Sequence, residues 1–368
     1  MTRLRVAIIG CGWVADSHAE NGFLALPEQF DLAVACDLDV DKASSFAKRH
    51  GVAGTATSYE AVLARPDIDV VSICTPPSLH FPMTMAAMDA GKHVICEKPF
   101  VASLDYVDQI IARQRDSRAR VMPIFQYRFG TGIKRVKHVI DQGLAGRGYV
   151  HTIETAWLRE QDYYQVAWRG KFATELGGVL VTQSIHMHDI MMYLLGPASA
   201  VAGFKATRVN PIEVEDCAVA SLLMQDGSLV SLTATLGSAR QITRMRFCFE
   251  NVTFEIDTGR QSDGDDPGSA GRPGDPEWLM IPKTPEIGAS IQAAMDSVEP
   301  DTAARFARQF ILFHKALQTG TPFPVTLEDA RRSLELITAI FHSSETGTAE
   351  RLPIGPGHPK YQGWGPRS

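Results

Sequence analysis

The 368-residue sequence lacks the features that would place it in a membrane, on nucleic acid or in an oxidising compartment. No apolar run is long enough to span a bilayer, and no run of lysines and arginines accompanies the formal net charge of −6. The six cysteines form no Cys-x-x-Cys pair and mostly lie in strand-like runs, which favours buried free thiols over disulfides or zinc. We therefore expect a cytoplasmic protein with neither a nucleic-acid nor a membrane partner.

The first residues, MTRLRVAIIGCG, combine a basic start with a short apolar run. A signal peptide would continue to a small-residue cleavage site, whereas this run leads directly into a glycine motif. The run therefore predicts a buried strand. The hydrophobic fraction of 45% and the charged fraction of 21% are ordinary for a soluble globular protein, and the length suffices for two domains with their own cores.

The first third of the sequence alternates strand-like and helix-like segments. Its strands are near-continuous apolar runs, as expected for strands covered on both faces, and they read RVAIIG, DLAVACD, DVVSICTP and KHVICEKP. Helical segments lie between and after them, at 13–26, 40–50, 58–64, 79–90 and 103–117. This alternation predicts an α/β fold with a doubly wound parallel sheet, a last strand at 120–126 and a domain at 1–125.

Beyond residue 125 the strands become longer and alternate, which predicts an α+β domain at 126–368 with a large open, mainly antiparallel sheet. Its strands are at 147–158, 199–209, 215–224, 228–236, 241–249 and 252–257, and its main helices at 131–142, 303–319 and 326–345. Asp226-Gly227 predicts a hairpin turn, and Thr326 with Asp329 resembles a capping box. The Gly/Asp/Pro-rich segment 259–276 predicts a surface loop, for which a tolerated insertion is favoured over a flap or a subunit contact.

The first strand leads into Gly10-Cys11-Gly12-Trp13-Val14-Ala15, a G-x-G-x-x-A motif. Gly10 permits a tight turn, Gly12 lets the backbone approach a pyrophosphate, and Ala15 is small enough for the helix to pack on the strand. The helix N-terminus, with Trp13 and Val14 in its first turn, then offers backbone N–H groups to the phosphates. Because the motif joins a strand to a helix in a βαβ unit, it favours a bound dinucleotide over a glycine turn without a ligand.

Asp37 follows the second strand, at the place where an acidic side chain accepts hydrogen bonds from the adenosine ribose hydroxyls. Its charge would repel the 2′-phosphate of NADP, and no arginine follows at once to hold that phosphate. Asp37 therefore favours NAD over NADP as the cofactor. The alternative interpretation is a surface aspartate that begins a turn.

A second set of motifs lies in TPPSLHFPMTMAAMDAGKHVICEKP. It comprises Thr75-Pro76, His80, Ala90-Gly91-Lys92-His93-Val94 and Glu97-Lys98-Pro99. This combination resembles the Gfo/Idh/MocA family, the glucose–fructose oxidoreductase and inositol dehydrogenase group, and the two-domain layout matches that family over nearly the whole chain. The resemblance implies a Rossmann domain, a second α/β domain with an open sheet, and a site between them. It also implies cofactor contacts from Thr75, Pro76, His80, Glu97, Lys98 and Gln126.

Lys98 stands at the C-terminal end of a predicted parallel strand, where such sheets bind their ligands. Pro99 keeps this residue extended. A surface ion pair with Glu97 is the alternative, but neighbouring side chains of a strand point to opposite faces. The resemblance implies that Lys98 contacts substrate and cofactor and helps to move the proton.

The segment GGVLVTQSIHMHD, residues 177–189, resembles the family's second-domain motif G-G-x-L-x-D-x-G-x-H-x-x-D. His186 falls on the catalytic histidine and Asp189 on the final acid, whereas Thr182 stands where inositol-dehydrogenase-like members have aspartate. The sequence predicts one helix with positions 182, 186, 189 and 193 on one face, so Thr182 and His186 should point together. A threonine forms hydrogen bonds but carries no charge, so we expect altered tuning and altered substrate contacts and not lost chemistry.

Other interpretations of this segment are a metal site and a buried core histidine. His186 and His188 are two residues apart and diverge on a helix, and no cysteine or acidic cluster joins them, so no metal is expected. His188 is expected to be structural or to lie at the rim. Four side chains ahead of the helix either bind a sugar through its ring, hydroxyls or carboxylate, or pack at a domain edge. They are Tyr163, Tyr164, Trp168 and Arg169.

The combined interpretation is an NAD-dependent dehydrogenase that oxidises a secondary hydroxyl of a sugar, sugar acid or cyclitol. Hydride passes to the nicotinamide, His186 accepts the hydroxyl proton, and Lys98 hydrogen-bonds the same oxygen. The alternatives are a redox-neutral NAD-dependent glycosidase and a dinucleotide-binding sensor without turnover. The joint presence of Lys98 and His186 favours an enzyme. The resemblance also implies a homodimer or homotetramer that assembles through the open sheet.

Overall fold

The computed structural model describes residues 3–261, 273–274 and 276–365. The strands are β1 Leu4–Ile9, β2 Phe30–Cys36, β3 Gly54–Ala56, β4 Val70–Ile73, β5 His93–Cys96, β6 Val121–Pro123, β7 Gly148–Leu158, β8 Ala198–Ala206, β9 Cys217–Met224, β10 Leu229–Thr235, β11 Gly237–Phe249, β12 Val252–Asp257, β13 Leu279–Pro282 and β14 Glu350–Arg351. The helices are α1 Trp13–His18, α2 Val40–His50, α3 Tyr59–Leu63, α4 His80–Asp89, α5 Leu104–Arg115, α6 Thr131–Asp141, α7 Phe172–Glu175, α8 Val179–Thr182, α9 Ile185–Leu195, α10 Thr258–Gln261, α11 Pro285–Asp296, α12 Arg305–Thr319 and α13 Leu327–Thr346. The segment predicted as a loop, 259–276, lies mostly outside the described residues, so its role stays a prediction.

The chain forms two compact units. The first consists of Met1–Gln126 and Arg305–Arg331, and the second of Tyr127–Ala304 and Arg332–Ser368. The predicted division into 1–125 and 126–368 did not include this return of α12 to the first unit. Its physical cause is a row of phenylalanines on α12, of which Phe310 stacks on Phe23 with the ring centroids 4.5 Å apart. The side-chain amide of Gln309 also donates to the Pro123 carbonyl at 2.8 Å.

The first unit is built on a six-stranded sheet of order β3-β2-β1-β4-β5-β6. Each neighbouring pair of strands is parallel, and this is the strand order of the dinucleotide-binding doubly wound fold. Val6, Ala7 and Ile8 of β1 are fully buried, as are all residues of β4. The predicted parallel, doubly wound sheet is therefore confirmed. The carboxyl ends of its strands bring the predicted cofactor residues to one edge.

The second unit contains an eight-stranded sheet of order β13-β12-β11-β7-β10-β9-β8-β14. Among the described strands, β7 and β10 pair in parallel and the other neighbours are antiparallel. The mainly antiparallel sheet is confirmed, whereas the parallel pair was not predicted. The predicted hairpin joins β9 to β10, and Gly227 takes φ +87° in its turn. The sequence pattern also missed β13, β14 and α11.

One face of this second sheet is covered and the other is exposed. On β9, Ala220 and Leu222 are buried, whereas Val219 is 49% exposed. The covering layer includes α13, where the Ser343 hydroxyl accepts the backbone N–H of Gly203 in β8 at 3.0 Å. The alternation of buried and exposed residues along β9 is therefore the pattern of a sheet with one solvated face.

Three smaller predictions can be compared with the structure. The capping box of α13 is present, because the Thr326 hydroxyl accepts the Asp329 N–H at 3.1 Å and the Asp329 carboxylate accepts the Thr326 N–H at 2.9 Å. The six cysteines are free thiols. In the described part of the chain, none of the helices has both the length and the apolar composition that a bilayer crossing demands.

Candidate functional site

The loop between β1 and α1 has the geometry that a dinucleotide requires. Gly10 takes φ +88°, and a Cβ there would lie 2.9 Å from the carbonyl oxygen of Cys74, so the position needs glycine. A Cβ on Gly12 would meet no other described residue within 4 Å. The open space over Gly12, at the start of α1, is a cradle that a side chain would fill and that suits a pyrophosphate. In the first turn of α1, Trp13 is exposed, Val14 is partly exposed and Ala15 is buried.

Asp37 follows β2, and its carboxylate ties the glycine loop to the end of that strand. It accepts the backbone N–H of Cys11 at 2.9 Å and that of Asp39 at 3.0 Å. The side chain remains partly exposed, and an ionised carboxylate has about four acceptor sites. Asp37 can therefore accept a ribose hydroxyl while it holds the loop, and its negative charge disfavours a 2′-phosphate.

Thr75, Pro76 and His80 belong to the loop and helix that follow β4. The ring nitrogens of His80 lie 2.9 Å from the Thr75 carbonyl oxygen and 2.8 Å from the Pro99 carbonyl oxygen, so the ring links the loops after β4 and β5. Burial lowers the pKa of His80, although these two hydrogen bonds oppose the shift. The structure therefore places His80 behind the loops as a support, whereas Thr75 and Pro76 are partly exposed.

Glu97 faces the interior of the first unit, beside Lys98. Its carboxylate lies 2.9 Å from Nε2 of His18 and accepts the backbone N–H of Lys98 at 3.1 Å. The other ring nitrogen of His18 lies 2.9 Å from the Ser72 hydroxyl. Burial alone would raise the pKa of Glu97, but the hydrogen bond and charge of His18 lower it, so the carboxylate is ionised. Glu97 was predicted to contact the cofactor, and that contact stays a prediction; its bond to His18 was not predicted.

Gln126 ends the main segment of the first unit, shortly after β6. Its side chain is buried, and Oε1 has no hydrogen-bond partner among the described residues. Leaving a buried acceptor without a partner costs roughly 1–3 kcal/mol, which a bound carboxamide would offset by donating to it. The residues of this unit, from Gly12 and Asp37 to Gln126, therefore fit a nicotinamide dinucleotide.

The second unit carries the segment that contains His186, and its helix is broken. α8 ends at Thr182 and α9 begins at Ile185, so the prediction of one helix through both positions is wrong. The backbone N–H of Ser184 bonds the carbonyl of Val179, five residues back, at 2.8 Å, which interrupts the regular α-helical pattern. A shared face of Thr182 and His186 therefore does not follow from helical spacing.

Glu215 holds the beginning of α8. Its carboxylate accepts the backbone N–H groups of Gly178 at 3.0 Å and Leu180 at 3.1 Å. A Cβ on Gly178 would lie 1.6 Å from the Glu215 carbonyl oxygen, which explains the second glycine of the motif. Burial raises the pKa of Glu215 to about 7, so this carboxyl titrates near neutral pH. The Thr182 hydroxyl in turn donates to the Gly178 carbonyl at 2.8 Å, and Glu215 was not predicted as part of this arrangement.

α9 is fixed to the residues that open the second unit. The ring of His186, which is 4% exposed, stacks on Tyr127 with the centroids 4.3 Å apart. One turn later, Asp189 pairs with Arg128, whose Nε donates to the carboxylate at 2.8 Å, and both side chains are buried. The Arg128 guanidinium also lies 4.8 Å from the ring centroid of Tyr193. Neither Tyr127 nor Arg128 was predicted to support His186, because the sequence does not show which helix they face.

The predicted sugar contacts form a polar cluster of their own. Arg169 contacts the Tyr163 hydroxyl, lies 3.2 Å from a carboxylate oxygen of Glu175, and has its guanidinium 4.3 Å from the ring centroid of Trp168. The Gln183 amide donates to the Tyr163 hydroxyl at 3.0 Å. Glu175 is fully buried, so its charge balances that of Arg169. Tyr163 and Trp168 are partly exposed, which leaves ring surface for a ligand.

His188 belongs to the core of the second unit. Its Nε2 lies 2.9 Å from the Ser184 hydroxyl, and the side chain has no exposed surface. Burial lowers the pKa of His188 to about 3, so the ring is neutral at physiological pH. Of the two roles predicted for it, structural and rim, the structure supports the first.

Two family models match separate parts of the chain. Residues 4–125 match the oxidoreductase family with an NAD-binding Rossmann fold, and residues 133–255 match the GFO/IDH/MocA C-terminal domain. The first match confirms the NAD-binding Rossmann domain that the glycine motif predicted.

Curated relatives and solved structures show the same likeness. The D-glucoside 3-dehydrogenase of Escherichia coli (strain K12) is 34% identical over 197 residues, which are 52% of this chain and 54% of the relative. A glycosyl hydrolase family 109 protein of Streptomyces filamentosus is 34% identical over 192 residues, 48% of this chain and 38% of the relative. Three relatives are matched over 62%, 66% and 54% of their own length, so the alignments leave a third or more of each unmatched.

Among solved structures, the WlbA dehydrogenase from Bordetella pertussis, in complex with NADH and UDP-GlcNAcA, superposes with a TM-score of 0.82 at 24% identity. The match covers 96% of this chain and 100% of that one, and it shows a shared fold. Both domain models and the fold agree with the T-P, E-K-P and G-G motifs. The chain therefore belongs to the Gfo/Idh/MocA family of oxidoreductases.

Proposed function

We propose that the chain is an NAD-dependent dehydrogenase that oxidises a secondary hydroxyl group of a sugar or cyclitol. The observation that carries this proposal is that Lys98 and His186, the two side chains proposed to handle the proton, each stand beside a buried polar pair. Glu97, which precedes Lys98, bonds to His18, and Arg128 pairs with Asp189 one turn from His186. Buried ion pairs add little stability, because desolvation offsets their attraction. Their presence at these two places supports a role in positioning.

In the proposed reaction, bound NAD supplies the hydride acceptor. The open backbone at Gly12 and the carboxylate of Asp37 hold its pyrophosphate and adenosine ribose, and the Gln126 amide oxygen accepts from its carboxamide. His186 takes the proton of the substrate hydroxyl as general base. Lys98 donates a hydrogen bond to the same oxygen and stabilises its developing negative charge.

The cluster around Arg169 bears on the substrate. An arginine beside two aromatic rings could hold a carboxylate, but Glu175 already balances its charge. Trp168 and Tyr163 still offer ring faces and a hydroxyl to a sugar. We therefore expect uncharged sugars or cyclitols to be oxidised faster than sugar acids of the same ring size.

The test is the absorbance of reduced nicotinamide when the protein is mixed with NAD and a panel of aldoses, inositols, anhydrosugars and sugar acids. Lys98→Ala and His186→Asn should each lower kcat by about 100-fold or more, as expected for lost acid–base chemistry. Lys315→Ala, an exposed lysine on α12, is the matched control and should behave as the unaltered chain. Absence of NADH with every compound, in protein shown to bind NAD, would contradict the proposal.

A redox-neutral NAD-dependent glycosidase is the second candidate, and the match to a glycosyl hydrolase family 109 protein favours it. A glycosidase returns the hydride within each turnover, so it would release nitrophenol from nitrophenyl glycosides without net NADH. Nitrophenol release that requires NAD, with no reduced nicotinamide accumulating, would replace the dehydrogenase assignment.

We further propose a homodimer or homotetramer that assembles through the exposed face of the second sheet. This face carries cross-strand apolar pairs, Phe204 with Val219 and Leu223 with Leu229, each between 43% and 65% exposed. Exposed apolar pairs of this kind are typical of a covered interface. Light scattering should give a multiple of the 40.3 kDa chain mass, and Phe204→Glu should shift it toward the monomer. A monomeric mass for the unaltered chain would contradict this assembly.

A further inference from the structure

Two histidines and a glutamate converge in the second unit, away from the motifs described above. His342 lies on α13, Glu350 on β14 and His358 in the turn that follows. One ligand atom from each lies within 4.8 Å of the other two. We propose that these three side chains form a binding site for a divalent transition-metal ion of the zinc class. The sequence did not indicate it, because the three residues are separated in the chain and lie on different elements.

The distances suit a small ion after minor adjustment. The Glu350 carboxylate lies 2.5 Å from Nδ1 of His342 and 3.6 Å from Nε2 of His358. Nitrogen and oxygen ligands at about 2.0–2.1 Å from a tetrahedral zinc stand roughly 3.3 Å apart. The separation of Glu350 from His358 is already close to that value, and that of Glu350 from His342 reaches it if the side chains move apart by less than about 1 Å.

The ring of His358 has one nitrogen without a hydrogen-bond partner in the described part of the chain. Its Nε2 is buried and has no hydrogen-bond partner among the described residues, although a carboxylate oxygen is 3.6 Å away. Nδ1 of the same ring accepts the backbone N–H of Lys360 at 3.1 Å, so an ion can bind Nε2 only if the ring proton moves to Nδ1 and the Lys360 N–H turns away. A neutral imidazole is the form that binds metal.

The chemistry of the donor set selects the class of ion. Two imidazoles with one carboxylate suit zinc, cobalt or nickel, whereas magnesium and calcium prefer all-oxygen sites. Lys360, two residues after His358, lies 2.8 Å from the Glu345 carboxylate, which balances its charge. The three ligand side chains are 13–18% exposed, so a water molecule can complete the coordination.

A metal at this place would stabilise the segment that supports α8. The segment after His358 contains Trp364, whose indole N–H donates to the Leu176 carbonyl at 2.5 Å. Leu176 takes φ +73° directly before the two glycines that begin α8. A Cβ on Gly177 would lie 3.4 Å from Nε1 of Trp364, so the contact is close. The ion would therefore fix the backbone on which Trp364 holds the start of α8.

The experiment uses the full chain without a histidine tag, freed of metal with a chelator and freed of nucleotide, because NAD phosphates also bind zinc. Zinc chloride alone is titrated by isothermal calorimetry. The expected result is one ion per chain, a raised unfolding temperature, and no competition from millimolar magnesium. His358→Gln and Glu350→Gln should each weaken binding by at least about tenfold. His138→Gln, on α6 outside the cluster, is the matched control and should leave binding unchanged.

Crystals of the unaltered chain grown with zinc provide a measurement that needs no variant. Anomalous scattering recorded above and below the zinc absorption edge should place one peak between His342, Glu350 and His358. The proposal would be overturned by a peak elsewhere, by the absence of stoichiometric zinc binding, or by a zinc affinity in both ligand variants equal to that of the unaltered chain. Any of these results would leave His358 beside the hydrogen-bonded pair of His342 and Glu350, and none would alter the dehydrogenase proposal.

Discussion

Replacing His18 with leucine should strongly destabilise the first unit, because it removes the partner of a buried carboxylate. Glu97 is 4% exposed and lies 2.9 Å from Nε2 of His18. Removing the partner of a buried charge typically costs about 3–5 kcal/mol, since the remaining charge keeps its desolvation penalty. The backbone N–H of Lys98 still donates to Glu97 at 3.1 Å. We therefore expect the lower end of that range, about 3 kcal/mol.

The assay is native-state hydrogen exchange at the amides of β1, β4 and β5, which reports the opening free energy of the first unit. Adding Glu97→Gln to His18→Leu should recover at least about 1 kcal/mol, because a neutral amide is less costly to bury than a charge. His50→Leu is the matched control. Its ring is equally buried, but its partner Asp16 is 30% exposed and keeps Arg49 at 2.7 Å, so the loss should stay below about 1 kcal/mol.

The pH dependence of this pair has a definite sign. Although burial acts to raise it, the pKa of Glu97 in the folded protein lies below the ordinary value of 4.5 because of His18. The contribution to stability is therefore present above about pH 4.5 and is lost as the pH falls through the lowered pKa. If His18→Leu costs no more than His50→Leu, or if the second substitution recovers nothing, Glu97 does not depend on His18 and the supported position of Lys98 is refuted.

Four further substitutions test the two units separately. Gly12→Ala should change the unfolding free energy by less than about 0.5 kcal/mol. It should weaken NAD binding at least about tenfold in calorimetry, because the Cβ of the alanine enters the open space above the loop. Unchanged affinity for NAD would place the phosphates elsewhere. Gly10→Ala should instead cost about 1–3 kcal/mol in urea unfolding, because its φ is +88°; a neutral effect would argue against the tight turn. Asp37→Asn should lower the NAD-to-NADP ratio of kcat/KM at least about tenfold, and an unchanged ratio would remove Asp37 from cofactor choice. Glu215→Gln should flatten the dependence of the unfolding free energy on pH. Because the pKa of Glu215 is raised from 4.5 to about 7, the unaltered chain should lose on the order of 3 kcal/mol of stability as the pH rises across that interval. Identical pH profiles for the variant and the unaltered chain would contradict this.

The elements of the first unit could be predicted from the sequence because their signals are local. α2 was predicted at 40–50 and is observed at Val40–His50, since Asp39 caps its first turn and Gly51 ends it at φ +66°. The glycine loop and the capping box of α13 are equally local. In each case the residues that decide the backbone stand within a few positions of it, so one sequence contains the whole cause.

The assignment of elements to units could not be predicted in the same way. The helical pattern at 303–319 is plain, but its return to the first unit depends on Phe23 and Pro123, which are far away in the chain. The parallel pairing of β7 with β10 is also non-local, because α7–α9, β8 and β9 separate the two strands. Periodicity shows which face of an element is apolar, and it does not show what that face packs against.

The same limit explains why the sequence indicates candidate residue types for the site and not the charges that surround them. The sequence shows Arg169 beside two aromatic side chains, a combination that suits a carboxylate, and it does not show that Glu175 turns back to balance the charge. It shows Thr182 and His186 at helical spacing. It does not show that Glu215 accepts backbone N–H groups at the start of α8, or that the helix is interrupted before Ile185. In the first case a buried carboxylate sets the electrostatics of Arg169, because a charge in a region of low dielectric must be matched nearby. In the second case a buried carboxyl group fixes the backbone at the start of α8. We therefore expect Glu175 to influence the charge of the proposed substrate as much as Arg169 does, and Glu175→Gln should shift the preference toward sugar acids.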